Sequence, residues 1–119
     1  MKQWRVFTQR QAKEDTNDIW RYIAHDNPKA ADAFLDAIEE ASKLLSAIPA
    51  IGGLRYFYHP ELRGLRILPL QKFEKYLLFY RLREEENVIE IVRIIHGARD
   101  IPSLFGRTAA GSGEEQKAA

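Results

Sequence analysis

The spacing of apolar residues changes once along this chain, and the change limits the folds open to it. From Ala12 to Ile48 apolar side chains recur at steps of three and four, the repeat of helices that each bury one stripe. From Leu65 to His96 they alternate or run together in short Val/Ile-rich stretches, the pattern of strands. Between the two lies a loop marked by Pro49, Gly52, Gly53, Pro60 and Gly64, with Leu54 to Tyr58 as a brief extended piece. Helices first and strands afterwards, without regular alternation, point to an α+β domain.

The helical half divides at His25-Asp26-Asn27-Pro28. Proline disfavours helix in the residue before it and suits the first position of the next, which leaves Asn27 as an N-cap. The first helix carries Ala12, Thr16, Ile19, Trp20 and Ile23 on its apolar stripe, beside a polar row of Glu14, Asp15, Asp18 and Arg21. The second carries Ala30, Phe34, Ala37, Ile38, Ala41, Leu44, Leu45 and Ile48, with Asp32, Asp36, Glu39, Glu40 and Lys43 on the wet side. So short a connector folds the pair back as a hairpin. Before them Gln3–Thr8 reads as a strand, and Thr8 with Gln11 forms a capping-box pattern at the helix start.

Three strands follow the loop: Leu65–Leu70, Tyr76–Arg83 and Val88–His96. Pro69 places its strand at an edge or a strand end, and the polar Glu84-Glu85-Glu86-Asn87 connects the last two as an antiparallel hairpin. The expected architecture is a two-layer β-α-α-β-β-β fold, with a helix hairpin on one face of a small antiparallel sheet. Residues 1–105 form one domain on this reading, and Gly106 to Ala119, small and polar without periodicity, form a disordered tail.

Composition closes several routes. The 119 residues suit one domain with a proper core, and no cysteine is present to supply disulfide or thiolate chemistry. The start Met1-Lys2-Gln3-Trp4-Arg5 lacks the apolar region of a signal peptide, and no apolar run approaches the roughly 20 residues of a membrane helix. A cytoplasmic protein without membrane partners is expected. His25, His59 and His96 are dispersed, so no metal is expected; the glycines lack the strand–loop–helix context of a nucleotide cradle, so no cofactor is expected either.

Charge is uneven although the net is only +1. Residues 12–45 hold four Lys/Arg against eight Asp/Glu, whereas residues 63–83 hold six Lys/Arg against Glu74 alone. The basic part suits an acidic or phosphate-bearing partner, although ordinary solvated faces carry the same pattern. Its strand arginines, Arg63, Arg66, Arg81, Arg93 and Arg99, together with His96, are the candidate binding group. Such a group could hold a phosphate while His96 moves a proton. For any single strand arginine, a structural ion pair is the commoner role, and Arg81 and Arg93 are placed to reach Glu90 or Asp100. A lone histidine ending a Val/Ile strand is likewise more often structural.

Taken in order, Asp18-Ile19, Tyr22-Ile23-Ala24, Asn27-Pro28, Ala30-Ala31, Phe34, Pro60-Glu61-Leu62-Arg63-Gly64-Leu65-Arg66, Phe79-Tyr80-Arg81 and Arg93-Ile94-Ile95-His96-Gly97-Ala98-Arg99-Asp100 resemble the RelE/ParE superfamily of bacterial toxins, on the ParE side. The resemblance covers about residues 3–101. It implies a type II toxin–antitoxin module, a cognate antitoxin whose flexible C-terminal segment wraps the toxin, and inhibition of DNA gyrase without hydrolysis of a substrate. Operator DNA would then be reached only through the antitoxin complex.

The alternatives it leaves are ribosome-dependent mRNA cleavage of the RelE type and an inactive antitoxin-binding relative. The loop from Gly52 to His59 offers only Arg55 and no lysine, which departs from the cleaving branch. On the favoured branch no residue is catalytic, and Arg63, Arg66, Arg81, Arg93, His96 and Arg99 are candidates for contact with antitoxin or target.

Overall fold

The computed structural model describes residues 3–54 and 63–101. The elements run β1 (Arg5–Thr8), α1 (Arg10–Asp26), α2 (Pro28–Ala47), β2 (Gly53–Leu54), β3 (Arg66–Leu70), β4 (Phe73–Arg83), β5 (Val88–His96) and α3 (Gly97–Ile101). One sheet contains all five strands in the order β1-β5-β4-β3-β2. The α+β class and the element order agree with the sequence reading. The sheet is mixed, however: β1 lies parallel to β5, with Val6 opposite Ile89 and Thr8 opposite Ile91. The helix hairpin and the later strands separate β1 from β5, so no tight turn obliges them to run antiparallel.

The two helices form as their spacing requires. Pro28 opens α2, and the Asn27 side chain accepts the Ala30 N–H at 3.1 Å. In α2, Ala31, Phe34, Ala41 and Leu45 are buried against the sheet, whereas Leu44 and Ile48, expected on the stripe, are 36% and 50% exposed. The expected Thr8–Gln11 capping box is absent; Gln9 is the N-cap and makes no side-chain cap bond. Thr8 is still paired in β1, and Gln9 gives its backbone N–H to the Ile91 carbonyl at 3.0 Å and its side-chain amide to Glu90. Strand pairing therefore delays the helix by one residue.

The main core lies between helices and sheet, joining Ala12, Ile19, Phe34, Leu45, Leu70, Tyr76, Leu78, Tyr80, Ile89, Ile91 and Ile94. Phe34 is fully buried and meets Phe73 and Tyr76 edge to face, with centroids 5.5 and 5.4 Å apart. A second cluster, Leu65, Ile67, Phe79 and Ile95, occupies the opposite face of the sheet, which the two-layer reading did not anticipate. Beyond α2, the buried Tyr80 hydroxyl donates to the Pro49 carbonyl and accepts the Gly52 N–H, both at 2.8 Å. A Cβ at Gly52 would lie 2.6 Å from that hydroxyl, which explains the glycine.

Pro69 sits where β2, paired only at Ile67 and Arg66, no longer reaches, so its missing N–H costs no ladder bond on that side. The turn Glu84–Asn87 closes the last hairpin, with Asn87 at φ 54 and Glu86 N–H donating to the Arg83 carbonyl at 3.2 Å. Residues 55–62, including Arg55, His59 and all but the first residue of the expected extended piece, and residues 102–119, including the expected tail, lie outside the described residues. Among the described residues no helix is long and apolar enough to cross a membrane.

Candidate functional site

β1 is short, and its pairing with β5 ends at Ile91. Past that point the outer edge of β5 is open, and α1 fills the space with a carboxylate. Asp15, 8% exposed, accepts the Ile94 backbone N–H at 3.0 Å, Arg93 Nε at 2.7 Å, Arg93 Nη2 at 2.9 Å and Gln11 Nε2 at 3.2 Å. The Asp15–Arg93 pair is bidentate, the geometry in which a guanidinium gives most to a carboxylate. The sequence reading placed Asp15 on the wet row. Its position three residues after Ala12 and four before Ile19 puts it on the buried stripe, the signal that could have found it. Arg93 accordingly gives its guanidinium to Asp15.

A bulge tunes the same region. Tyr80 opposes Ile91 and Phe79 opposes Arg93, so Val92 is an extra residue on β5 and the alternation resets after it. Ile89, Ile91 and Ile94 thereby all reach the helix-side core.

The strand ends in a reciprocal cap. His96 Nδ1 accepts the Arg99 N–H and the His96 N–H donates to Asp100 Oδ2, both at 3.1 Å, so His96 acts as the N-cap of α3. Accepting at Nδ1 assigns the proton of the neutral ring to Nε2. The ring also stacks edge-on against Tyr76, centroids 5.2 Å apart. Gly97 follows because a Cβ there would lie 2.9 Å from Leu77 Cδ1. Arg99 Nε donates to Asp100 Oδ1 at 3.3 Å, and its guanidinium lies 5.6 Å from the centre of the Tyr22 ring on α1. Burial works against the Arg99 charge, but Asp100 and Tyr76 outweigh it and raise its proton affinity.

A cavity of about 570 Å³ opens between these elements, lined by Asp15, Asp18, Ile19, Tyr22, Arg93, Ile94, Ile95, Arg99 and Asp100.

The expected basic group divides four ways. Arg93, His96 and Arg99 gather at this corner. Arg66 shares the helix-side face of β3 with Leu68 and Leu70, and its Nη1 donates to the Gly52 carbonyl at 2.8 Å and the Ala50 carbonyl at 3.3 Å. Arg63 is exposed in the turn before β3. Arg81 points to the other face, since Tyr80 and Leu82 beside it face the helices, and it stands opposite Glu90. Arg66 and Arg81 therefore cannot close on one phosphate; the period of two along a strand separates them. Among the described residues no group of three His, Asp or Glu side chains is arranged to hold a metal.

Glu90, 7% exposed, is bound instead by Arg83 Nε at 3.0 Å and by Gln9. Burial pushes its carboxyl up, but the hydrogen bonds of Arg83 and Gln9 and the charges of Arg83 and Arg81 more than reverse this and hold it below the usual value of 4.5. The unfolded chain then binds the proton at higher pH than the folded one. Glu90 thus stabilises the fold above about pH 4.5, and the contribution fades as pH falls toward its lowered value. Denaturation midpoints measured between about pH 5 and pH 3 should fall less steeply in Glu90→Gln than in the wild type; equal slopes would reject this account.

Comparison with known proteins agrees with this geometry. The family model for the "ParE toxin of type II toxin-antitoxin system, parDE" matches residues 6–101. Among solved structures, the chain is similar to one of the chromosomal ParDE toxin–antitoxin system from P. aeruginosa, with TM-score 0.63 and 23% identity, covering 79% of this chain and 96% of that one. It is also similar to one of the toxin–antitoxin complex RelBE2 from Mycobacterium tuberculosis, with TM-score 0.55 and 22% identity, covering 80% of this chain and 99% of that one. No curated protein matches it in sequence.

Proposed function

We propose, for a chain that belongs to the ParE toxin family of type II toxin–antitoxin systems, that it arrests growth by binding and inhibiting DNA gyrase, and that a cognate antitoxin neutralises it. The observation that carries the non-hydrolytic reading is the state of His96. Its Nδ1 accepts the Arg99 N–H and its ring is packed on Tyr76, so the imidazole is held in place as the cap of α3. The neighbouring Arg93 is clamped by Asp15, and Arg66 and Arg81 face opposite sides of the sheet. A cleaving site needs a proton-transfer group beside cations free to hold one phosphate, and the arginines beside His96 are paired with Asp15 and Asp100.

A near-neutral net charge of +1 further supports operator DNA being reached only through the antitoxin complex. For the antitoxin, Arg63, exposed like Lys72 and Lys75 of the same basic stretch, is a cation placed to meet an acidic segment. The likeness to the RelBE2 complex keeps ribosome-dependent cleavage as the competing reading.

The test uses purified antitoxin-free protein in a gyrase supercoiling assay, beside a ribosome-dependent message-cleavage assay. Inhibition of supercoiling at near-stoichiometric toxin is expected, with His96→Gln retaining inhibition to within about threefold. Message cleavage with intact gyrase activity would overturn the proposal, especially with a loss of about a hundredfold or more in His96→Gln, the scale of a missing proton-transfer group. Expression without growth arrest would point to an inactive antitoxin-binding relative.

A further inference from the structure

α3 spans five residues, Gly97–Ile101, and a helix this short does not persist by its own backbone bonds. Its hold depends on its start. His96 Nδ1 accepts the Arg99 N–H and Asp100 Oδ2 accepts the His96 N–H, both at 3.1 Å, so ring and carboxylate each close one end of the same turn. Once docked, α3 supplies Arg99 and Asp100 to the wall of the corner cavity and brings the Arg99 guanidinium to Tyr22.

The acceptor in this cap is an imidazole nitrogen, and only the neutral ring has one to offer. Asparagine, serine or aspartate in the same place would accept at any pH near neutrality, whereas histidine changes charge between about pH 5 and pH 8. The half-buried position of His96 leaves the ring open to exchange of that proton with water. Protonation turns Nδ1 into a donor facing the Arg99 N–H, and it sets a positive charge at a helix start, where the backbone dipoles disfavour one. Asp100 gives the new N–H somewhere to go. Its carboxylate already lies at the His96 backbone N–H, and turning to the imidazolium draws it away from Arg99 Nε, which it accepts at 3.3 Å.

The other groups around the ring leave the decision to His96 and Asp100. On β4, Tyr76 stacks on the ring, with Glu74 and Lys75 exposed before it. On α1, Asp18 and Tyr22 line the cavity, and Asp18 is paired with Arg21. On β5 itself, Arg93 is held by Asp15.

We infer that His96 is a pH-operated cap: the neutral ring holds α3 on the sheet, and the imidazolium releases it and withdraws the Arg99 and Asp100 wall from the corner cavity. The device holds whatever the target of the protein.

Its test follows amide hydrogen exchange and the imidazole nitrogens by NMR in the full-length chain, at about pH 7.5 and about pH 5, with exchange corrected for its intrinsic pH dependence. At the higher pH the ring should carry its proton on Nε2, with Nδ1 bare. At the lower pH, protection of the Arg99 amide should fall by about fivefold or more, within the range a helix cap supplies. Ile89, paired on both sides within the sheet, should keep its protection and so report that the fold is intact. His96→Asn retains an acceptor that does not titrate, and its Arg99 protection should differ by less than about twofold between the two conditions. A neutral ring protonated on Nδ1, or Arg99 protection in the wild type unmoved by pH, would overturn the inference without any variant. Equal loss of protection in His96→Asn would also overturn it, assigning the pH dependence to a carboxylate.

Discussion

Asp15→Ala is expected to lower the stability of this protein by about 3 kcal/mol, toward the lower end of what is lost when one partner of a buried ion pair is removed. The carboxylate accepts four hydrogen bonds from Gln11, Arg93 and Ile94, and two of them come from one guanidinium. Without it, the Ile94 N–H faces an open sheet edge under α1, and Arg93, whose side chain is 24% exposed, keeps a half-buried charge with no counterion from α1. Partial solvent access to Arg93 is why the lower end is expected. Urea denaturation reads the change as a shift in midpoint at constant slope. A double variant, Asp15→Leu with Arg93→Met, should recover much of the loss, because paired apolar residues need no mutual neutralisation. A single variant within about 0.5 kcal/mol of wild type would mean that the clamp is incidental.

Phe34→Ala is the second large effect, about 3–5 kcal/mol. Phe34 has no exposed surface and sits where α2 crosses the sheet, edge to face with Phe73 and Tyr76. Removing the ring leaves a void bounded by the start of β4, which cannot collapse without dragging the strand. The consequence reaches the corner, because Tyr76 also supports His96. Chemical denaturation should therefore show the loss of stability, and the Arg99 amide resonance should shift although Phe34 lies outside the cap. A destabilised variant with an unmoved Arg99 amide would uncouple core from corner.

The residues that looked reactive in isolation have structural work: Arg93 closes a strand edge, His96 caps a helix, and Arg66 ties the segment after α2 to β3. Tyr22 on α1 and Arg99 on α3 lie at the surface, two residues 77 positions apart that the fold brings within 5.6 Å. Tyr22 was visible in the sequence only as part of a family motif. Its exposure depends on which way α1 turns, and that is set by the burial of Ala12, Asp15 and Ile19.

Periodicity and punctuation alone determined the helix hairpin, its break at Asn27-Pro28 and the three-stranded meander, because each depends on neighbours three or four residues apart or on alternation within a strand. The tertiary structure decided the parallel seat of β1, the delayed start of α1, the bulge at Val92 and the partners of Arg66, Arg93 and Arg99. The longest-range of these contacts join Asp15 with Arg93, 78 positions apart, and Gln9 with Glu90, 81 apart, separations at which spacing carries no signal. A charge on a strand declares that it needs a partner, and only the packed chain says which one it has.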